Sequence, residues 1–361
     1  MKKLSAMLAL ILVVCLLSGC AGTTVVYYSD CTCPVDAHVQ APATEAPETQ
    51  PPVVAEGTLK TGLAVITTVA ESVSATAEAE GEAKYDVTIA AVTVDENGVI
   101  VSCTIDSIGA SVKFGADGII TTDLTAAVQT KNELGDNYGM KAYGGAAYEW
   151  YEQAEALANY AEGKTVEQLR AGAVNESGKA ADADLASTAT IYLGGYVSAI
   201  EAAAANAQNL GAQAGDELKI AVLAGLTDSK SADAENAGNA QLNVDVTAIT
   251  MNDGVITSCT IDSVQAKVAF GADGVITSDI TAPVQTKNQL GEGYGMKAWG
   301  GATYEWNEQA ANFAAYVTGK TAAEVAGIAI DEGTKPTDAD LSASVTIAIG
   351  GFQALIAKAA Q

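Results

Sequence analysis

The sequence predicts an α+β fold made of two tandem copies of one domain, each an antiparallel β-meander followed by helices. Three observations carry this expectation. At a constant offset of 156, residues 98–165 and 254–321 are identical at 47 of 68 positions, so the chain contains an internal repeat. Within each copy, β-branched runs separated by turn dipeptides come first. Apolar residues at helical spacing come after them, and strands followed by helices define the α+β class.

In the first copy, residues 87–94, 99–108, 110–114 and 119–124 read as strands, separated by Asn97-Gly98 and Asp117-Gly118, dipeptides suited to tight hairpins. Trp150, Ala154, Leu157, Ala158 and Ala161 then fall on one helical stripe that Gly163 stops. Thr165 with Gln168, and Thr321 with Glu324, form capping boxes that open a second short helix. Residues 74–83 and 231–240 correspond at an offset of 157, the extra residue falling in the turn before Gly98. The expected divisions are a leader at 1–19, a tether at 20–57, repeats at 58–207 and 218–361, and an Ala/Gly/Gln-rich linker at 208–217.

The 361 residues suffice for two domains, each burying a core of its own. Hydrophobic residues make up 49% and aromatics only 6%, so Ala, Val, Ile and Leu must build those cores. With 18 basic against 44 acidic residues the net charge is −26, which argues against nucleic acid as a partner. The only histidine, His38, lies in a Pro-rich stretch. Imidazole triads, His-ligated zinc and haem attachment are thereby excluded from the folded part. Arg170 is the only arginine, and Cys103 and Cys259 occupy matching strand positions, where a thiol acts as a small hydrophobe.

The N-terminus carries Lys2, Lys3, an apolar run over residues 4–17 and then Leu17-Ser18-Gly19-Cys20. A run this short reads as a secretory leader rather than a membrane-spanning helix. Its ending resembles the bacterial lipobox, which implies a lipid anchor on Cys20 and a place on the outer face of the bacterial cytoplasmic membrane. Two acyl chains are what stable anchoring needs. Pro34, Pro42, Pro47, Pro51 and Pro52 follow, marking an extended tether. The spacing of Cys31 and Cys33 matches neither a zinc knuckle nor a thioredoxin motif, which leaves an incidental or disulfide-forming pair.

Each copy closes on a distinctive run: Asp182-Ala-Asp184-Leu-Ala-Ser187-Thr188-Ala189-Thr190, and Asp338-Ala-Asp340-Leu-Ser-Ala343-Ser344-Val345-Thr346. By residue type these suit the capping of a helix N-terminus. Asp184 to Thr190 also resembles the pattern Asp-x-x-(Ser/Thr)-(Gly/Ser/Thr)-Ala-Thr read by the bacterial flavin transferase, which joins FMN to the final Thr through a phosphoester. The second copy keeps Asp340, Ser344 and Thr346, while Ala343 and Val345 depart from the pattern. With the lipobox, tether and repeats, nearly the whole chain resembles the two-flavin lipoproteins of Gram-positive extracellular electron transfer.

That resemblance implies two covalent FMN groups, on Thr190 and Thr346, and a flavin transferase as the modifying partner. It also implies an electron carrier rather than an enzyme, fed by membrane quinol-linked proteins and discharging to extracellular acceptors such as ferric iron or flavins. A phosphate on either Thr, placed at the start of a helix, would meet free backbone N–H groups and the positive dipole end.

A second shared constellation is Thr130-Lys131-Asn132 with Tyr138, Met140, Lys141 and Tyr143, matched by Thr286-Lys287-Asn288 with Tyr294, Met296, Lys297 and Trp299. A flavin site wants aromatic or Met contacts on the ring faces and a cation where charge builds up on reduction. The same residues equally suit a Gly-rich turn over a packed Tyr. Trp150 and Trp306, on the helical stripe, read as core. Two other functions stay open: a flavin-dependent reductase of a small acceptor, and a flavin-free surface lipoprotein serving as a binding or adhesive module.

Overall fold

A computed structural model describes residues 57–361; the leader, Cys20, Cys31, Cys33 and His38 lie outside the described residues. Each copy opens with three long strands. The first copy orders β1 (Lys60–Thr68), β2 (Gly81–Val94) and β3 (Ile100–Phe114) into an antiparallel sheet. The second repeats this with β4 (Glu217–Gly225), β5 (Gly238–Asn252) and β6 (Val255–Phe270).

The turn at Asn97-Gly98 joins β2 to β3 as the sequence suggests, with Gly98 at φ 76°. The runs expected at 99–108 and 110–114 are a single strand, because Gly109 keeps its place in the ladder opposite Asp86. The strand expected at 119–124 does not form. Ile120 makes one bridge to Phe114, and Asp123 then accepts from both the N–H and the hydroxyl of Thr125, which folds the chain into a turn. β1 lies outside the expected strands altogether.

Helices follow in each copy: α1 (Lys131–Leu134), α2 (Met140–Gly144), α3 (Trp150–Ala161), α4 (Val166–Gly172), α5 (Ala183–Thr188) and α6 (Gly194–Ala205). Their counterparts are α7 (Lys287–Leu290), α8 (Met296–Gly300), α9 (Trp306–Val317), α10 (Ala322–Ala326), α11 (Ala339–Ser342) and α12 (Gly350–Ala359). The stripe from Trp150 to Ala161 is buried along α3, and both capping boxes are formed.

The side-chain alternation of the strands decides the layering. Tyr85, Val87 and Ile89 face a core shared with Leu242, Val244 and Val246 of the other copy, whereas Ala90, Val92 and Val94 face α3 and α6. Helices therefore cover the outer face of each sheet, and the inner faces meet. Across that contact the rings of Phe114 and Phe270 stack with centroids 4.0 Å apart. The Phe114 ring lies on Gly81, where a Cβ would come within 2.4 Å of it.

Length alone suggested separate cores, but the largest core belongs to both copies. Reciprocal hydrogen bonds stitch them: Ala75 N–H to Gly274 O at 2.9 Å and Ala232 N–H to Gly118 O at 2.8 Å. The linker expected at 208–217 is also tied down, since Gln208 and Thr61 exchange backbone bonds of 3.0 and 2.9 Å alongside β1.

Candidate functional site

The Thr-Lys-Asn triplet divides its labour. Thr130 caps α1 in a capping box with Glu133, and Asn132 fastens the turn to β3 by donating to Ile105 O at 2.8 Å. The backbone N–H of Asn132 also reaches Asp106, whose buried carboxyl is pushed above its ordinary range by desolvation. Lys131 is left to project between aromatic faces, its Nζ 5.3 Å from the Tyr138 ring and 5.2 Å from Trp150. Lys287 repeats this at 5.2 Å from Tyr294 and 4.8 Å from Trp306. Burial pushes the Lys287 ammonium below the usual lysine range, with Asp245 and Asp262 opposing the shift.

In the first copy these side chains line a cavity of about 390 Å³, together with Thr88, Met140, Ile191, Tyr192, Gly195 and Tyr196. That volume lies within the range of small-ligand pockets. Gly195 belongs to the first turn of α6, which has no side-chain cap among the described residues, and the leading N–H groups of such a helix suit an anion. A Cβ on Gly195 would meet nothing within 4 Å, so the approach to that turn is open.

The closing runs fold as short helices, but the capping falls to one residue in each. Asp182 accepts from Asp184 N–H and Leu185 N–H, both at 3.0 Å, and Asp338 does the same in α11. Asp184 and Ser187 are exposed on α5, Thr188 ends it, and Asp340 and Ser344 take the matching places in and just after α11. Thr190 and Thr346 lie past the C-terminal ends of those helices, exposed, and four residues ahead of α6 and α12. The expectation that they open a helix is therefore corrected. Ala189 and Val345 are buried beneath them at 1% and 0% exposure, so each chain segment is anchored one residue before its threonine.

Fully buried Gln153 holds this loop. Its Oε1 accepts from the N–H of Thr190 at 2.7 Å, the hydroxyl of Thr190 at 3.2 Å and the N–H of Ile191 at 3.1 Å. Its Nε2 donates to Tyr148 O at 3.0 Å and faces Met140 Sδ at 3.8 Å. Gln309 repeats the set around Thr346, with 2.7, 3.1 and 3.2 Å to the loop. Buried Glu149 likewise accepts from Met140 N–H and Lys141 N–H at 2.7 and 2.9 Å and so fixes α2.

Sequence reasoning missed Gln153, Glu149 and their counterparts Gln309 and Glu305. The available signal was a polar side chain repeated in both copies on the buried side of a helical stripe. Lys141 and Lys297 were expected at the site, but they form ion pairs with Glu152 at 3.0 Å and Glu308 at 2.9 Å. Lys141 does not line the cavity. Tyr143 and Trp299 are 92% and 82% exposed, their rings lying over Gly139 and Gly295. Trp150 combines the core and cavity roles, at 2% exposure. Burial pushes the Cys259 thiol up to about 12 and raises that of Cys103 as well; neither lines this cavity. Arg170 pairs with Glu201 through bonds of 2.9 and 2.7 Å.

Comparison with protein-family models, with curated proteins and with solved structures returns no match for this chain.

Proposed function

We propose that the protein is a lipid-anchored extracellular electron carrier bearing two FMN groups, esterified through phosphate to Thr190 and Thr346. The observation that carries this reading is the pairing of an exposed threonine, pinned by a buried glutamine, with a neighbouring pocket that in the first copy is lined by Lys131, Tyr138, Met140 and Trp150. A motif that served only to cap a helix would end with Asp182 and Asp338, which do the capping. Among the described residues Thr190 caps nothing, and its hydroxyl bonds only an oxygen that already accepts two backbone N–H groups.

The residues present fit the group. The leading N–H groups at the start of α6 suit its phosphate, and the Trp150, Tyr138 and Met140 side chains suit the faces of a ring system. Lys131 supplies the one ammonium of the cavity lining. Bound FMN supplies reversible acceptance of two electrons, and the protein need only hold and tune it. Lys131 does the tuning by standing where added negative charge is stabilised. Covalent attachment suits an exported carrier, which would lose a reversibly held cofactor by dilution. Feeding by membrane quinol-linked proteins, discharge to ferric iron or soluble flavins, and the anchor on Cys20 belong to the same reading.

The test is flavin fluorescence that stays with the polypeptide after denaturation and removal of small molecules, in the mature chain made with and without a flavin transferase. Thr190→Ala and Thr346→Ala should each remove half of it and the double variant all of it. Denatured polypeptide that carries no fluorescence in any sample would leave a flavin-free or reversibly binding lipoprotein.

A further inference from the structure

Three of the residues that line the first cavity change in the second copy: Tyr192 becomes Ala348, Tyr196 becomes Phe352, and Thr88 becomes Asp245, the one change among them that adds a charge. Thr88 of β2 lines the first cavity beside Lys131, opposite Ser107 in the ladder. The same position of β5, opposite Ser263, is Asp245. Its carboxylate faces the second site from two directions. One Oδ lies 3.8 Å from where a Cβ on Gly351 would stand, in the first turn of α12. It also acts on the Lys287 ammonium and the Tyr294 hydroxyl. Gly351 is the counterpart of Gly195, so the extra charge sits against the same uncapped helix start that the first copy leaves to a ligand.

We propose that Asp245 makes the second site the more reducing of the pair, so that electrons shared between the copies settle on the first. This rests on the flavin reading above. Reduction adds negative charge to the bound ring system, and a carboxylate alongside opposes that charge while offsetting part of the Lys287 field. Thr88 brings no such charge. Asp106 and Asp262 are common to both copies, each buried on the strand side of its Lys turn, and therefore cancel in the comparison. In the internal step two electrons leave the reduced flavin on Thr346, which is oxidised, and reduce the oxidised flavin on Thr190. Protons released at one site and taken up at the other exchange with water.

The experiment uses single-flavin proteins, Thr190→Ala and Thr346→Ala, whose flavin load is first counted by intact mass and whose midpoint potentials are then read by optical titration with dithionite. The flavin on Thr346 should be harder to reduce than that on Thr190 by about tenfold in the equilibrium constant, roughly 30 mV for a two-electron couple. Asp245→Thr should remove most of that gap, and Thr88→Asp should impose it on the first site. Equal potentials, or a gap that neither exchange moves, would overturn the asymmetry while leaving covalent flavin intact. Absence of flavin in the mass spectra would instead remove both readings together, before any titration.

Discussion

Gln153 and Thr190, 37 residues apart, are joined twice through one oxygen: Gln153 Oε1 accepts from the backbone N–H of Thr190 and from its hydroxyl. The neighbouring N–H of Ile191 makes a third bond to the same atom. A buried amide thus holds an exposed threonine in one conformation, and Gln309 does the same for Thr346.

Gln153→Ala should therefore reduce flavin attachment at Thr190 about tenfold while leaving Thr346 unaffected. It also strips an acceptor from three donors, a loss of roughly 1–3 kcal/mol in stability. Peptide-resolved mass spectrometry separates the sites, and a denaturant titration reports the stability. Equal attachment at both threonines in the variant would show that the pin does not present the acceptor.

Lys131→Met removes the cation of the first cavity while keeping an apolar stem of similar length. In a Thr346→Ala background the remaining flavin should become harder to reduce, by about tenfold or roughly 30 mV for two electrons. An unchanged midpoint in an optical titration would place Lys131 in a packing role alone.

Phe114→Ala tests the shared core. The stacked pair with Phe270 belongs to that core, both rings fully buried, and truncation should cost about 3–5 kcal/mol. Because the lost contact belongs to both copies, parent and variant should each unfold in one cooperative transition by circular dichroism and fluorescence. Two separated transitions, only one of them shifted, would mean that the copies fold independently.

The Asp106 carboxyl gives a pH signature. Desolvation raises it above its ordinary value of 3.8, so folding favours its protonated form. The stability it contributes is complete below that ordinary value and is lost as pH rises through the raised one. Asp106→Asn keeps an acceptor for the N–H groups of Ser107 and Asn132 without the charge. It should match the parent in acid and exceed it at neutral pH. Denaturant midpoints measured across that range check the sign, and a variant that loses ground as pH rises would reverse it.

The fold was legible where local chemistry decides it. Asn97-Gly98 made the hairpin, and Thr165 with Gln168 and Thr321 with Glu324 made the boxes. Periodicity marks a face as buried without naming what buries it, so the alternation in β2 could not show that Tyr85, Val87 and Ile89 meet the other copy. The same limit hid the 119–124 segment, apolar because it packs against the shared core rather than because it is a strand. At the site, the spacing brought out Lys131, Tyr138 and Met140, which the fold gathers. It also brought out Lys141, whose direction is set by Glu152, a partner that linear spacing does not rank. Gln153 was hidden by its neighbours, a polar residue inside an apolar stripe.

Covalent flavin on two particular hydroxyls is read from the intact mass of the denatured, mature chain made alongside a flavin transferase. The parent should be two FMN units heavier than the bare polypeptide, with one unit lost in Thr190→Ala, one in Thr346→Ala and both in the double variant. A parent mass equal to that of the bare polypeptide would contradict it.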